Sequence, residues 1–302
     1  MEKLLIVGKG SYGSYVADTL EGDYAFAAEP FIGANDFKEN FAYVATPHDT
    51  HFDIASKLLA LGKHVLCDKP LCLFLKEVSQ LYKMADEKNL HLGVGFLLHH
   101  HPFYVWLKSM RQKFGGIQSV SVLNNATEGR IATDWYWDKK RSGGWFFISE
   151  IHWYHLFAWL TDADDASVVF ASETKEGGKT TSTKSEIRTD KGEMLRVSHD
   201  LNSKDEDVKC TVTIEFANIT VTVFDWVPFS LSLSDHLFVP NFGSDFDIEG
   251  GIVKEKRDRD VIYQSLIKNN IDNLFNQVPD DRESIILAHR LAQEADQKSD
   301  DQ

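Results

Sequence analysis

Apolar residues in the first third of the chain fall in short unbroken runs separated by amphipathic stretches. Lys3 to Val7 is such a run and ends in Gly-Lys-Gly; Ser11 to Leu20 then shows helical spacing through Tyr12, Tyr15, Val16 and Leu20. Tyr24 to Ala28, Phe41 to Ala45, His64 to Cys67 and Leu90 to Gly95 repeat the short apolar run, as strands covered on both faces do. Between them the 3.6-residue period predicts helices over Thr50 to Leu61, Leu75 to Lys88 and Phe103 to Lys113, with Gly62 and Gly115-Gly116 closing two of them. Strand alternating with helix implies a parallel sheet. The segment between the second and third runs is unusually brief, so the second βα unit is shortened.

After Gly116 the pattern changes. Ile117 to Leu123 reads as a strand, Trp145 to Leu160 as a helical block, and Ala166 to Leu233 as a series of strands. Among them Thr211 to Phe216 and Thr220 to Val223 alternate with period two, as half-exposed antiparallel strands do. Asp258 to Phe275 and Arg282 to Gln297 read as helices, with a frayed tail from Lys298 to Gln302. The expected architecture is α/β: a Rossmann-like parallel sheet in residues 1–116, then an α+β unit in residues 117–302 with a mostly antiparallel open sheet.

Composition narrows the function. A chain of 302 residues with 43% hydrophobic and 12% aromatic residues can bury two cores. Its formal charge of −14, with Lys and Arg scattered, disfavours nucleic-acid and anionic-membrane partners and leaves a small molecule as the expected ligand. Cys67, Cys72 and Cys210 are too few and too uneven for a disulfide framework or a zinc site. The N-terminus passes straight into a strand without a secretion pattern, and no run reaches the length of a membrane span, so a cytoplasmic protein is expected.

Gly8, Gly10 and Gly13 form G-x-G-x-x-G between a strand and a helix. In that context the first glycine makes the turn, the second admits a pyrophosphate and the third lets helix and strand pack closely. Backbone N–H groups at the helix start, around Ser11 and Tyr12, would hold the phosphates. Glu29 stands where the fingerprint places a carboxylate for the ribose hydroxyls, and no Lys or Arg follows until Lys38, which favours NAD over NADP. The alternatives are a glycine turn without a ligand and a solvated carboxylate before Pro30.

Three further stretches complete the picture: Val44-Ala45-Thr46-Pro47-His48-Asp49-Thr50-His51, Gly62-Lys63-His64-Val65-Leu66-Cys67-Asp68-Lys69-Pro70-Leu71, and Gly143-Gly144 leading to His152. With the N-terminal glycines they resemble the glucose-fructose oxidoreductase, inositol dehydrogenase and MocA family over nearly the whole chain. The resemblance implies an NAD(P)-dependent dehydrogenase or reductase acting on a sugar, polyol or related hydroxy compound. It places the loop from Thr46 through Pro47 to His48 along the cofactor, with His51 at the end of the same stretch. It brings Lys69 to substrate and nicotinamide, with Asp68 where the family has Glu, and makes His152 the general acid or base. Without it, Lys69 reads as a surface lysine and His152 as a packed core histidine.

The family's aspartates four residues before and three after the histidine are replaced by Ile148 and His155. On a regular helix Ser149, His152 and His155 share a face, so His155 becomes a candidate for the substrate pocket, and Glu150 points elsewhere. The resemblance puts His99 beside the substrate; Trp135, with Tyr136 and Trp137, is a further candidate to flank the pocket, core packing being the equal alternative. His99-His100-His101 on an extended segment brings only two imidazoles together, so no metal is expected. The family often pairs through its open sheet, which implies a homo-oligomer. The missing carboxylates leave a second reading open, a catalytically degenerate member serving as a nucleotide- or sugar-binding regulatory protein.

Overall fold

The computed structural model describes residues 3–20, 25–27, 38–126, 134–204, 209–234, 242 and 245–301. Strand β1 (Leu4–Val7) leads through the glycine turn into helix α1 (Ser11–Thr19), followed by β2 (Ala25–Ala27) and β3 (Phe41–Val44). Helix α2 (His51–Ala60), β4 (His64–Cys67), α3 (Leu75–Lys88), β5 (Leu92–Val94) and α4 (Pro102–Met110) complete the alternation. The five strands form one parallel sheet in the order β2-β1-β3-β4-β5. Strand order reverses between β1 and β3, so a crevice opens there at the carboxyl ends of the strands.

Strand β6 (Ile117–Asn125) starts a second sheet. Helix α5 (Lys139–Ser142), a π-helical turn over Phe146–Glu150 and helix α6 (Ile151–Thr161) follow. Next come β7 (Ala166–Glu176), β8 (Lys179–Thr189), β9 (Met194–Asp200), β10 (Cys210–Phe216), β11 (Thr220–Phe224) and β12 (Ser230–Leu233). Strands β13 (Phe246–Glu249) and β14 (Ile252–Glu255) precede α7 (Arg259–Phe275) and α8 (Arg282–Asp300). The nine strands of this sheet pair antiparallel except β6 with β9. Helix α6 is apolar nearly all round, and it is buried nearly all round.

Helix α7 does not join the second sheet. Its Ile262, Leu266, Ile267, Ile271 and Leu274 pack on Leu4 and Ile6 of β1 and on Phe41 and Tyr43 of β3. A division at residue 116/117 therefore separates the strands of the two sheets, while part of the helical cover of the first sheet, α7, comes from near the end of the chain.

Two expectations need correction. The last helix runs to Asp300 rather than fraying from Lys298, because Lys139 reaches across to Asp296 (2.9 Å) and Asp300 (2.8 Å). The block from Trp145 is not a regular helix. Gly143 and Gly144 both have positive φ, 82° and 81°, and a Cβ on Gly143 would come within 2.6 Å of Leu73 Cδ2, so only glycine lets the chain enter here. The chain then makes a π turn before settling into α6, and Glu150, expected to point elsewhere, is buried beneath Tyr154 and Ser185 hydroxyls at 2.6 and 2.5 Å.

Ile271→Ala is expected to cost about 2–5 kcal/mol, the usual range for truncating a fully buried aliphatic side chain. Urea unfolding followed by circular dichroism measures it, and a loss under about 1 kcal/mol would show that α7 is not part of the first sheet's core.

Candidate active site

The ends of four parallel strands converge on one cavity of about 430 Å³. β1 delivers Gly8, Gly10, Ser11 and Tyr12; β3 delivers Thr46, Pro47 and His48; β4 delivers Asp68 and Lys69; β5 leads to Leu97 and Leu98. The opposite wall holds Trp135, Tyr136, His152 and Trp226, with Tyr263 and Leu266 from α7. A second cavity of about 940 Å³ shares Lys69, His152 and Trp226 and continues along the second sheet.

The glycine turn is built for close approach. Gly8 has φ 109° and its added Cβ would overlap the Ala45 carbonyl, while Gly13 leaves no room for a Cβ beside the Gly8 carbonyl. Gly10, in contrast, has nothing within 4 Å of an added Cβ and faces the cavity. Helix α1 starts with no side-chain cap and no acidic residue in its first turn, leaving its N–H groups to an incoming anion. The residues present thus fit the pyrophosphate of a dinucleotide. Glu29 lies outside the described residues.

Lys69 follows β4 across a cis Lys69–Pro70 bond. Its Nζ donates to the Ile148 carbonyl at 2.6 Å, at the position where the family's first aspartate is missing. The π turn therefore presents a main-chain dipole where a side-chain carboxylate would otherwise stand. The Ile148 side chain packs with Trp145 and Leu201 instead. Burial lowers the Lys69 ammonium, with Asp68 pulling it back up; burial also raises the Asp68 carboxyl to about 6, against the pull of Lys69.

His152 lies 9% exposed at the junction of the two cavities, its ring edge-on to Trp226 (4.7 Å, 82°) and to Phe96 (6.0 Å, 86°). Burial, then the nearby Lys69 charge, holds it well below the ordinary imidazole range, so it is a neutral proton acceptor near pH 7.

Gly13, which packs against the Gly8 carbonyl, and three of the predicted histidines do not line the cavities. The ring nitrogens of His51 lie 2.7 Å from the Pro70 carbonyl and 2.8 Å from the Thr46 carbonyl. It braces the cofactor loop rather than touching a ligand. His155 sits one helical turn past His152, beyond the cavity floor, and stacks flat on Phe96 (4.1 Å, 2°). It has no hydrogen bond to His152. His99 is buried against His155 at 4.9 Å, because Leu98–His100 is a 3₁₀ turn, not the extended segment expected, and turns the imidazole inward. His100 and His101 go elsewhere, to Asn270 at 2.9 Å and to the N–H of Phe103 at 3.1 Å.

The sequence reading placed His48 in the cofactor loop without giving it a role, and missed three contributors altogether. His48 Nδ1 donates to the Ser142 carbonyl at 2.7 Å, leaving Nε2 as the acceptor, and its ring meets Trp135 at 4.9 Å. Its place inside the Thr46-Pro47 stretch was the available signal. Trp226, Tyr263 and Leu266 lie far along the chain in segments that read only as sheet and helix, and nothing local marks them.

A family model described as an oxidoreductase family with an NAD-binding Rossmann fold matches residues 33–96. An uncharacterized oxidoreductase, sll0816, of Synechocystis sp. is 23% identical over 122 residues, 39% of this chain and 33% of that protein. Inositol 2-dehydrogenase of Rhizobium meliloti is 26% identical over 127 residues, 41% of this chain and 37% of that enzyme. The matched stretch thus spans little over a third of these curated relatives. The crystal structure of GenD2 from gentamicin A biosynthesis in complex with NAD superposes with a TM-score of 0.80 over 100% of this chain and 95% of that one, at 19% identity, a likeness of fold.

Burial lowers His101 and His155 to about 3, and His199 and His289 to about 4. An imidazole lowered in the folded state takes up its proton on unfolding, so its stabilisation is complete above about pH 6.5 and drains away toward the folded value. Each withdraws about 1.4 kcal/mol per pH unit across that window. Asp68 and Asp280, raised to about 6, act in the opposite sense between about pH 6 and 4, but they are fewer. The urea midpoint is expected to fall steadily from about pH 7 to about pH 5; a midpoint constant or rising over that range would show that these imidazoles are not buried in the neutral form.

Proposed function

We propose that the chain is a member of the glucose-fructose oxidoreductase, inositol dehydrogenase and MocA family and an NAD-dependent oxidoreductase acting on a hydroxyl-bearing carbon of a sugar or polyol. The observation that carries the reading is the convergence of Lys69 and His152 on one cavity that runs back to the glycine turn. A bound NAD supplies a nicotinamide that takes hydride from the carbinol carbon or returns it. The chain's part is to place the substrate and move the proton. Neutral His152 accepts the hydroxyl proton as the carbonyl forms, and Lys69, held at the Ile148 carbonyl, polarises the same oxygen. His48 and Trp135 close the cavity against water.

The regulatory alternative draws on the absent carboxylates. Lys69 nevertheless keeps an acceptor at 2.6 Å, which favours the enzyme. Glu29 is proposed to receive the ribose hydroxyls, so NAD should bind more tightly than NADP. We place the protein in the cytoplasm, where Cys67, Cys72 and Cys210 would stay as the free thiols seen here; no helix among the described residues is long and apolar enough to cross a membrane. A homo-oligomer would form over the uncovered face of the second sheet, where Leu123, Phe170 and Phe224 are exposed.

Lys69→Ala and His152→Ala are each expected to lower kcat about 10²- to 10⁴-fold with NAD affinity nearly unchanged, and His155→Ala to leave kcat within about threefold. Steady-state kinetics on the best sugar or polyol substrate, with calorimetric NAD titration, checks this. His152→Ala that lowers only the melting temperature would make His152 a packing residue and remove the proposed mechanism.

A further inference from the structure

The larger cavity reaches well beyond the reacting groups. Its volume of about 940 Å³ lies near the top of the roughly 300–1,000 Å³ that encloses a drug-sized ligand, and it adjoins the separate space in front of the glycine turn. Lys69 and His152 stand at the inner end. The far wall is made by neighbours in the second sheet and by the π turn: Asn124 of β6 lies opposite His199 of β9 in the parallel pairing, and Ser149 projects from the turn.

These far-wall groups are short of partners. His199 is 4% exposed, yet its Nε2 has no hydrogen-bond partner among the described residues, and an unpaired buried polar atom is a cost that folds rarely carry without a reason. Asn124 Nδ2 reaches Ser149 Oγ only at 3.4 Å, at the limit of a useful contact, so both retain hydrogen-bonding capacity. The wall is also uncharged: burial holds His199 down to about 4, and Trp145 sets its ring edge-on to the imidazole at 5.6 Å. Of the charged side chains lining this cavity, Arg259 and Asp225 are paired at 2.8 Å, and Lys209 and Asp260 add one charge of each sign. Neutral donors and acceptors beside an indole suit a hydroxylated ring better than a phosphate or carboxylate.

We propose that His199, Asn124 and Ser149 form a subsite for a second, uncharged sugar ring, so that the substrate is a glycoside or oligosaccharide rather than a free monosaccharide. This rests on the dehydrogenase reading for the ring held at Lys69 and His152, and adds the ring beyond it. The reacting ring lies at the junction of the cavities, and the glycosidic substituent extends outward along β6 and β9.

The test is calorimetric titration of the full chain, with and without NADH, with cellobiose, lactose, maltose and trehalose against glucose and galactose. At least one disaccharide is expected to bind about tenfold or more tightly than its component monosaccharides, the worth of one or two net hydrogen bonds. His199→Phe, which keeps an aromatic ring but removes both nitrogens, should abolish that advantage and leave monosaccharide affinity within about twofold. Ser149→Ala, a smaller change in case the first variant does not fold, should reduce the advantage in the same direction. Equal affinity for disaccharides and monosaccharides would overturn the proposal, as would variants that weaken both classes alike. Binding is read without turnover, so absence of NAD reduction with every sugar would count against the dehydrogenase reading, while the titration still decides the subsite.

Discussion

The site depends on one hydrogen bond, from the Lys69 ammonium to the Ile148 carbonyl. A partly buried ammonium without an acceptor would swing back to water or lose its proton. The acceptor comes from the other half of the molecule, so the same bond ties the carboxyl end of the parallel sheet to the helical layer on the second sheet. Its availability traces to Gly143 and Gly144, whose positive φ values bring the chain into the π turn. A carbonyl is a dipole and not a charge. It fixes where the amine points and lowers the cost of burying it, but it pins the proton less firmly than a carboxylate would. Lys69 is therefore oriented while burial lowers its affinity for the proton, against the pull of Asp68.

His152 answers the loss of its own carboxylate partner in a different way. Where an aspartate would set the ring by a hydrogen bond, Phe96 and Trp226 hold it by packing edge-on on two sides. Packing fixes orientation without raising basicity, and the neighbouring Lys69 charge depresses it further. The result is an imidazole that stays neutral well into acid. His48 shares this condition, with its tautomer set by the Ser142 carbonyl. The acid sensitivity expected of the fold is the cost of keeping so many imidazoles dry and neutral.

What the sequence displayed were the features with a short period or a local rule. The parallel strands, the glycine turn and the helix over Leu75–Lys88 follow from apolar runs, from the needs of close backbone approach and from the 3.6-residue repeat. Lys69 and His152 were legible through the segments around them, and both face the same cavity. His155 and His99 misled because a shared helical face says nothing of how deep a cavity reaches, and because three consecutive histidines gave no sign of a 3₁₀ turn. The π turn could not be read at all, since a regular helix and an inserted residue have the same hydrophobic pattern over five positions. Trp226, Tyr263 and Leu266 arrive by tertiary packing alone.

Those late arrivals change how ligand binding must work. On its outer side the glycine turn is flanked by Tyr12, raised well above the ordinary phenol range by burial and by the nearby phenols of Tyr43 in β3 and Tyr263 in α7. Helix α7 stands behind that phenol and contributes Leu266 to the cavity wall, while its remaining apolar face is committed to the core of the parallel sheet. A cofactor seated in the turn would thus touch the first residues of the chain and a helix that begins some 250 residues later. A ligand stabilises the state that binds it by an amount that grows with its concentration over its dissociation constant. Here that state includes α7 seated on β1 and β3, so a ligand in the turn would also stabilise the packing of α7, and a change that loosens α7 would weaken binding at Gly8 and Gly10 without touching them.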